Sequence, residues 1–182
     1  MGNTKVYRAI GLMSGTSLDG VDAALLETDG HEFVHPAGFV SLLYTSEERV
    51  AIRANFGKER KDPAAEKIVT DRHIEAVQAL LAQQKIAAGD VEVIGFHGQT
   101  VYHNPAQRIT VQIGDAARLA KETGIQTVAD FRSADVKAGG QGAPLLPLYH
   151  AARIRGDNIE PPVAVLNIGG VANVTWIGKG EN

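Results

Sequence analysis

Four short polar segments of this chain place glycine beside side chains that can bind an anionic or polyhydroxylated ligand. The first covers residues 13–20 and reads Met-Ser-Gly-Thr-Ser-Leu-Asp-Gly. Gly15 lets backbone N–H groups approach an anion closely, and the Thr16 and Ser17 hydroxyls can donate to phosphate oxygens. The segment is not a Walker A loop, because that spacing and its lysine are absent. A phosphate site and an ordinary polar turn both stay open on these residues alone.

The same turn carries two carboxylates that are candidates for a metal. Asp19 and Asp22 could hold Mg²⁺ directly or through water, since carboxylate oxygens are ligands that this cation accepts. His103 and His150 have no neighbours at the spacing of a metal site. Mg²⁺ is therefore the metal that the sequence indicates.

Two more polar segments each follow a predicted strand. His97, Gln99 and Thr100 offer donors and acceptors that suit a polyhydroxylated ligand, with a solvated turn as the alternative. Arg132 can grip a carboxylate or phosphate with two N–H groups, unless it forms a structural ion pair with Asp130. Because ligands of open α/β sheets bind beyond the carboxyl ends of the strands, these positions favour a binding site.

The fourth segment is a second glycine turn, Asn-Ile-Gly-Gly at 167–170, with Asn173 nearby. It repeats the opening pattern of strand, glycine turn and strand. It could also approach a phosphate, as the first turn could.

Composition excludes several classes of protein. The chain of 182 residues has no Cys, so disulfide scaffolds, zinc ribbons and thiol nucleophiles are excluded. A net charge of −3 does not predict a nucleic-acid partner. No apolar run approaches the roughly 18 residues of a membrane span, and the N-terminus is a poor signal peptide. We expect a cytoplasmic α/β domain.

The elements that must position the polar segments can be read from hydrophobic periodicity and turn residues. A first group of strands with an antiparallel hairpin is predicted, then a long helix capped by Asp62 and ended by Gly89, then alternating strands and helices, and finally a new hairpin. Predicted strands cover 6–12, 21–28, 31–44, 91–96, 101–103, 109–113, 125–129, 163–168 and 171–177. Helices are predicted from Ser46 as an N-cap and over 63–88, 116–122 and 144–155, with a linker over 158–162.

Five stretches of the chain, in order, resemble the anhydro-N-acetylmuramic acid kinase family. They are GLMSGTSLDGVDAALLE (11–27), GFHGQTVYHNP (95–105), TVQIGD (110–115), ADFRSADVKAGGQGAPLLPLYHA (129–151) and LNIGGVANVT (166–175).

The resemblance implies an α/β fold of the actin-like ATPase, ribonuclease H-like type. We expect a mixed five-stranded sheet with flanking helices in a lobe over 1–158, and the first hairpin of a second lobe over 159–182. The family uses ATP and Mg²⁺ to open the ring of 1,6-anhydro-N-acetylmuramic acid hydrolytically and to phosphorylate O6. The product is N-acetylmuramic acid 6-phosphate, in peptidoglycan recycling. The resemblance also suggests a homodimer.

The motif match assigns residues to the two ligands. Those implied to bind the ATP phosphates are Gly15, Thr16, Ser17, Leu18, Asp19, Gly20, Val21, Asp22, Gly169 and Gly170, with Asp19 reaching the metal through water. Those implied to bind the sugar are His97, Gln99, Thr100, Asp130 and Arg132.

Two positions depart from the wider superfamily. Met13 stands where sugar kinases usually carry an Asp that orders Mg²⁺, so Asp19 or Asp22 must replace it or ATP must hold the metal. Asn167 likewise stands where many relatives have Asp.

The resemblance places the general base downstream of Asn182, so no catalytic residue is expected in this chain and the chain alone is expected to be inactive. Asp130 is a poor substitute base, because Arg132 would keep it ionised and paired. The alternatives are a non-catalytic actin-like module that binds a nucleotide or sugar, and a structural fragment without activity.

Overall fold

The computed structural model describes residues 5–168 and 172–180 and contains a mixed α/β lobe with a separate small sheet. The strands are β1 Tyr7–Ser14, β2 Gly20–Thr28, β3 Val34–Leu43, β4 Val93–Asn104, β5 Ile109–Ile113, β6 Thr127–Ala129, β7 Val163–Ile168 and β8 Ala172–Ile177. The helices are α1 Ser46–Arg53, α2 Pro63–Gln84, α3 Ala116–Thr123, α4 Ser133–Ala138 and α5 Pro147–Gly156.

The main sheet has six strands rather than the five expected. Its order is β3-β2-β1-β4-β5, and β6 also pairs with β4. The first three strands form an antiparallel meander, and β4 lies parallel to β1. On its other edge, β4 pairs in parallel with β6 near its start and antiparallel with β5 farther along. The predicted mixed sheet with flanking helices is confirmed.

The long strand β4 differs most from the sequence-based expectation. Residues 97–100 were predicted to form a turn after a strand ending at Phe96, but they continue the same strand to Asn104. Gly98 makes this continuation possible, because its φ of +70° allows a β-bulge at which the pairing with β1 shifts by one residue and then resumes at Gln99. The polar residues of the second segment therefore lie inside the sheet.

The hydrophobic core lies between the sheet and α2. Alternate residues of β1, Ile10 and Leu12, are buried on one face, as the two-residue period of a strand requires. From the helix, Val69, Val77 and Leu80 are fully buried, because spacings of three to four residues return to one helix face. This packing fixes β1 and β4 side by side.

Helix termini were only partly predicted. Asp62 caps α2 as expected, accepting a hydrogen bond from the Ala65 N–H at 2.9 Å. The helix ends at Gln84 rather than at Ala88, because Lys85 adopts a left-handed conformation. The N-cap of α1 is Thr45, one residue before the prediction.

Three later elements also differ from their predictions. Helix α4 was not predicted, α5 begins at Pro147 rather than at Pro144, and β6 has three residues with Val128 half exposed. The small sheet pairs β7 with β8 in an antiparallel hairpin, as predicted. Among the described residues, no helix is long and apolar enough to span a membrane.

Candidate functional site

The first polar segment is a tight turn between β1 and β2. The Leu18 N–H donates to the Gly15 carbonyl at 3.1 Å, and Leu18 has a φ of +59°. Its side chain is fully buried, so it fastens the turn to the core. Thr16 and Ser17 are exposed, and so is Asp19. The turn thus presents two hydroxyls and one carboxylate to solvent.

Other residues assigned to the phosphates have structural surroundings. Val21 is fully buried in β2. A Cβ on Gly20 would lie 2.2 Å from the Leu42 carbonyl oxygen, so glycine is needed for β2 and β3 to approach. Asp22 is exposed and pairs directly with Met13 across the hairpin. Because directly opposed side chains share one face of the sheet, Asp22 lies beside Met13 on the same face.

Beneath the turn, three side chains form a hydrogen-bonded group. The Ser14 Oγ lies 2.6 Å from the Gln99 Oε1 and 3.0 Å from the Tyr44 hydroxyl. All three residues are buried, and Gln99 has no exposed surface. The Gln99 Nε2 donates to the Thr100 carbonyl at 3.1 Å, so the polar atoms of Gln99 are occupied within the protein. Its predicted contact with a sugar would need these bonds to rearrange.

Arg132 is linked to His97, across 35 residues of sequence. The Arg132 Nε–H donates to the His97 Nε2 at 2.8 Å, which requires an unprotonated Nε2. The His97 Nδ1–H then donates to the Gly98 carbonyl at 2.8 Å. Burial lowers the pKa of His97, and the Arg132 charge adds to that effect although the Gly98 bond opposes it. His97 is therefore held as one neutral tautomer.

The sequence left open an ion pair between Asp130 and Arg132 as the alternative to ligand binding by Arg132. Among the described residues this ion pair does not form. Asp130, in a left-handed conformation with φ of +59°, accepts instead from the Ser133 N–H at 3.3 Å. Arg132 uses its Nη1 to donate to the Gly142 carbonyl at 2.5 Å. Gly142 is fixed in turn by a 2.6 Å bond from its N–H to the Asp135 carboxylate. The guanidinium keeps N–H groups that donate to no described residue.

A cleft of about 550 Å³ opens beside this group. It is lined by both predicted and unpredicted residues: Glu59, Lys61, Glu66, Phe96, His97, Gly98, Thr110, Val111, Gln112, Ile113, Gly114, Asp115, Ala116, Ala129, Asp130 and Ser133. His97 and Asp130 are the predicted sugar residues among them. Gln99, Thr100 and Arg132 do not line it.

The unpredicted lining residues include Gln112 of β5 and Gly114 just after it, Glu66 of α2, and Lys61, which precedes α2. The Gln112 Nε2 donates to the Thr100 Oγ1 at 3.2 Å. Thr100 is therefore hydrogen-bonded to a residue that lines the cleft, although it does not line the cleft itself. Glu66 accepts from the Gly114 N–H at 3.2 Å and pairs with Lys61 at 3.2 Å. The TVQIGD stretch contains Gln112 and Gly114 and was the available signal for this wall, whereas nothing in the sequence marks Lys61 or Glu66.

The described residues fit a polyphosphate better than a free metal ion. They contain no group of three His, Cys, Asp or Glu side chains able to hold a cation. The turn offers exposed hydroxyls with only the Asp19 and Asp22 carboxylates nearby, which suits a cation held chiefly by phosphate oxygens. The predicted phosphate residues Gly169 and Gly170 lie outside the described residues.

The sheet order, the glycine turn after the first strand and the helices packed on the sheet define a lobe of the actin-like ATPase class. Residues 7–182 match the family model described as anhydro-N-acetylmuramic acid kinase, and the chain belongs to this family.

Curated relatives with that name support the assignment. The chain is 55% identical over 182 residues to the anhydro-N-acetylmuramic acid kinase of Rhizorhabdus wittichii, covering 95% of the chain and 49% of the relative. It is 50% identical over 181 residues to the one from Rhodopseudomonas palustris, covering 93% and 49%. For Paramagnetospirillum magneticum the identity is 53% over 169 residues, covering 93% and 47%. The chain spans about half the length of the curated relatives it matches.

Proposed function

We propose that this chain supplies the N-terminal lobe of an ATP-dependent sugar kinase. The whole enzyme would open 1,6-anhydro-N-acetylmuramic acid hydrolytically and phosphorylate its O6, giving N-acetylmuramic acid 6-phosphate for peptidoglycan recycling. One observation carries the proposal. The proposed phosphate turn follows Ser14, whose Oγ donates a hydrogen bond to the Gln99 Oε1 at 2.6 Å. Gln99 is two residues along β4 from His97, which lines the cleft. A phosphate donor on the turn and a sugar in the cleft would be neighbours.

The residues of this chain would act by binding and orientation. The N–H groups and hydroxyls of residues 15–17 would receive the ATP phosphates, with Gly169 and Gly170 contributing from the second hairpin. Asp19, and Asp22 beside Met13, would contact the Mg²⁺ through water. Mg²⁺, when bound, would neutralise charge on the transferring phosphoryl group.

The sugar would lie in the cleft and be held by charge and hydrogen bonds. Arg132 and Thr100 do not line the cleft themselves but are hydrogen-bonded to residues that do, His97 and Gln112. The muramic acid carboxylate suits the unused N–H groups of Arg132, because a guanidinium binds a carboxylate through paired hydrogen bonds. His97, Thr100 and Asp130 would contribute to the same wall. A water, losing its proton to a carboxylate base, would bond to the anomeric carbon as the C1–O6 bond breaks. The released O6 would then attack the γ-phosphoryl group in line, and ADP would leave. The base is assigned to the part of the relatives that follows residue 182.

The proposal also covers the domain organisation, the oligomeric state and the cellular location of the enzyme. Residues 1–158 would form one lobe and residues 159–182 would begin a second. We place the enzyme in the cytoplasm as a homodimer that binds neither nucleic acid nor a membrane.

The test is an ATP-dependent phosphorylation assay with 1,6-anhydro-N-acetylmuramic acid. It compares the 182-residue chain with an extended chain, in which residues 1–182 are followed by the C-terminal half of the Rhizorhabdus wittichii relative. The intact relative is the control. We expect turnover by the extended chain and none by the short one. Turnover by the short chain would contradict the position of the base. An inactive, folded extended chain beside an active relative would contradict the kinase role, and ligand binding without turnover would favour the non-catalytic module.

A further inference from the structure

Tyr44 contacts both ends of the turn between β1 and β2. Its backbone N–H donates to the Asp19 carbonyl at 3.2 Å, at the end of the turn. Its hydroxyl lies 3.0 Å from the Ser14 Oγ, at the start of the turn. Tyr44 follows β3 directly and precedes α1, so one residue from a neighbouring part of the fold fixes the two points between which residues 15–18 run.

The direction of the hydrogen bonds follows from their chemistry. The Gln99 Oε1 can only accept, so the Ser14 hydroxyl must donate to it at 2.6 Å. Ser14 has one hydroxyl hydrogen, so the Tyr44 hydroxyl must be the donor to Ser14. Burial raises the pKa of Tyr44 to about 12, which keeps that donor protonated. The bonds therefore run in one direction, from Tyr44 through Ser14 to Gln99.

The hydrogen-bonded group of Tyr44, Ser14 and Gln99 joins the two parts of the proposed site, the turn between β1 and β2 and strand β4 beside the cleft. Gln99 lies in β4, between Gly98 and Thr100, and its side-chain amide donates to the Thr100 carbonyl. A shift of β4 at the cleft would change the Gln99–Ser14 distance, and Ser14 immediately precedes Gly15 of the turn. All three side chains are buried, so water cannot readily replace a lost bond.

We propose that Tyr44 is a positioning residue that fixes the phosphate turn, and that Ser14 and Gln99 couple the turn to the strand forming the sugar wall. This inference depends on the proposed function for its effect on ATP, but its effect on the turn itself does not. Packing of the ring would be preserved by phenylalanine, whereas the bond to Ser14 would not. Tyr44→Phe therefore separates positioning from core packing.

The kinetic test uses Tyr44→Phe, Ser14→Ala and the double variant in the extended chain, with Tyr102→Phe as control. Tyr102 donates to Gln107 near the surface and, among the described residues, forms no side-chain hydrogen bond with any of the three. We expect Tyr44→Phe to raise the KM for ATP about tenfold, as the loss of a buried hydrogen bond allows, with little change in the control. The double variant should match Ser14→Ala, because both changes remove the same bond. Additive effects, or an unchanged KM in an active Tyr44→Phe enzyme, would overturn the inference.

A second measurement keeps the inference testable if the extended chain proves inactive. Amide hydrogen exchange of the Leu18 N–H reports the turn directly, since this group donates to the Gly15 carbonyl. We expect exchange about tenfold faster in Tyr44→Phe, at equal global stability and with core amides of α2 unchanged. Unchanged exchange at Leu18 would overturn the positioning role. A folded but inactive extended chain with faster exchange would contradict the kinase function and leave the positioning role supported.

Discussion

At the scale of single residues, the geometry of Arg132 gives the most specific prediction about which sugar is bound. Its Nε and Nη1 are committed to His97 and Gly142, so the orientation of the remaining N–H groups is fixed before any ligand arrives. Preorganisation of this kind reduces the cost of binding. A lysine at this position would keep the charge but could not form both bonds in one plane.

We therefore expect Arg132→Lys in the extended chain to raise the KM for 1,6-anhydro-N-acetylmuramic acid at least tenfold, as the loss of a charge-assisted bond allows. The matched substrate is 1,6-anhydro-N-acetylglucosamine, which lacks the carboxylate. We expect the rate with this sugar to change little in the variant, because Arg132 has no acid to bind in it. Initial-rate kinetics with both sugars measures the difference. Equal losses for the two sugars would show that Arg132 does not recognise the carboxylate.

His73 makes stability depend on pH. It is fully buried in α2, its Nδ1–H donates to the Val69 carbonyl at 2.6 Å, and its ring meets Phe96 edge to face at 4.8 Å. Within the described chain its Nε2 has no hydrogen-bond partner. Burial lowers the pKa of His73 from 6.5 to about 4. The folded state therefore binds this proton less readily than the unfolded state does.

The stability that neutral His73 provides is complete above pH 6.5 and is lost as the pH falls towards 4, because the unfolded chain takes up the proton first. The loss should approach about 3 kcal/mol. Urea unfolding between pH 7.5 and pH 4.5 would measure it. His73→Phe should remove the His73 share of this dependence and leave that of His97, whose pKa burial also lowers, whereas His35→Gln, at an exposed histidine, should retain both. Parallel curves for wild type and His73→Phe would contradict the assignment.

At the scale of elements, the sequence predicts structure best where the signals are local. The β1–β2 hairpin and the start of α2 follow from a glycine turn and from Asp62 before a proline, and both are confirmed. The continuation of β4 through His97 and Gln99 could not be predicted, because the polar side chains are satisfied by Arg132 and Ser14, 35 and 85 residues away. The polar residues at 97–100 indicated a turn because their hydrogen-bond partners, which lie far away in the sequence, could not be identified from the sequence.

The bend in β4 gives a prediction with a closely matched control. Gly98 and Gly124 have φ values of +70° and +71°, but a Cβ would lie 2.5 Å from the Ile113 carbonyl oxygen at Gly98 and meet nothing at Gly124. Gly124→Ala should cost about 1–2 kcal/mol from backbone strain alone. Gly98→Ala should cost more by about 1–3 kcal/mol, since β4 and β5 must separate. Urea unfolding of both variants measures the difference. Equal costs would show that the pairing of β4 with β5 tolerates a methyl group.

At the scale of the whole molecule, the β7–β8 hairpin stands apart from the main sheet. Its large apolar residues Leu166, Ile168, Val174 and Trp176 are exposed. A two-stranded hairpin is marginal in water unless another surface covers it. The curated relatives are about twice as long as this chain, and we propose that their second half includes the lobe that this hairpin begins.

Trp176, the sole tryptophan of the 182-residue sequence, reports whether that lobe covers the hairpin. The residue is 67% exposed. In an extended chain whose added half has its own tryptophans replaced by phenylalanine, we expect emission from Trp176 to move to shorter wavelength and acrylamide quenching to fall several-fold. The 182-residue chain supplies the exposed reference, and Trp176→Phe supplies the background. Because burial removes an indole from both water and quencher, the two signals should change together. Emission and quenching equal to those of the short chain, in a folded extended chain, would show that the hairpin face carrying Trp176 is not covered by the second lobe.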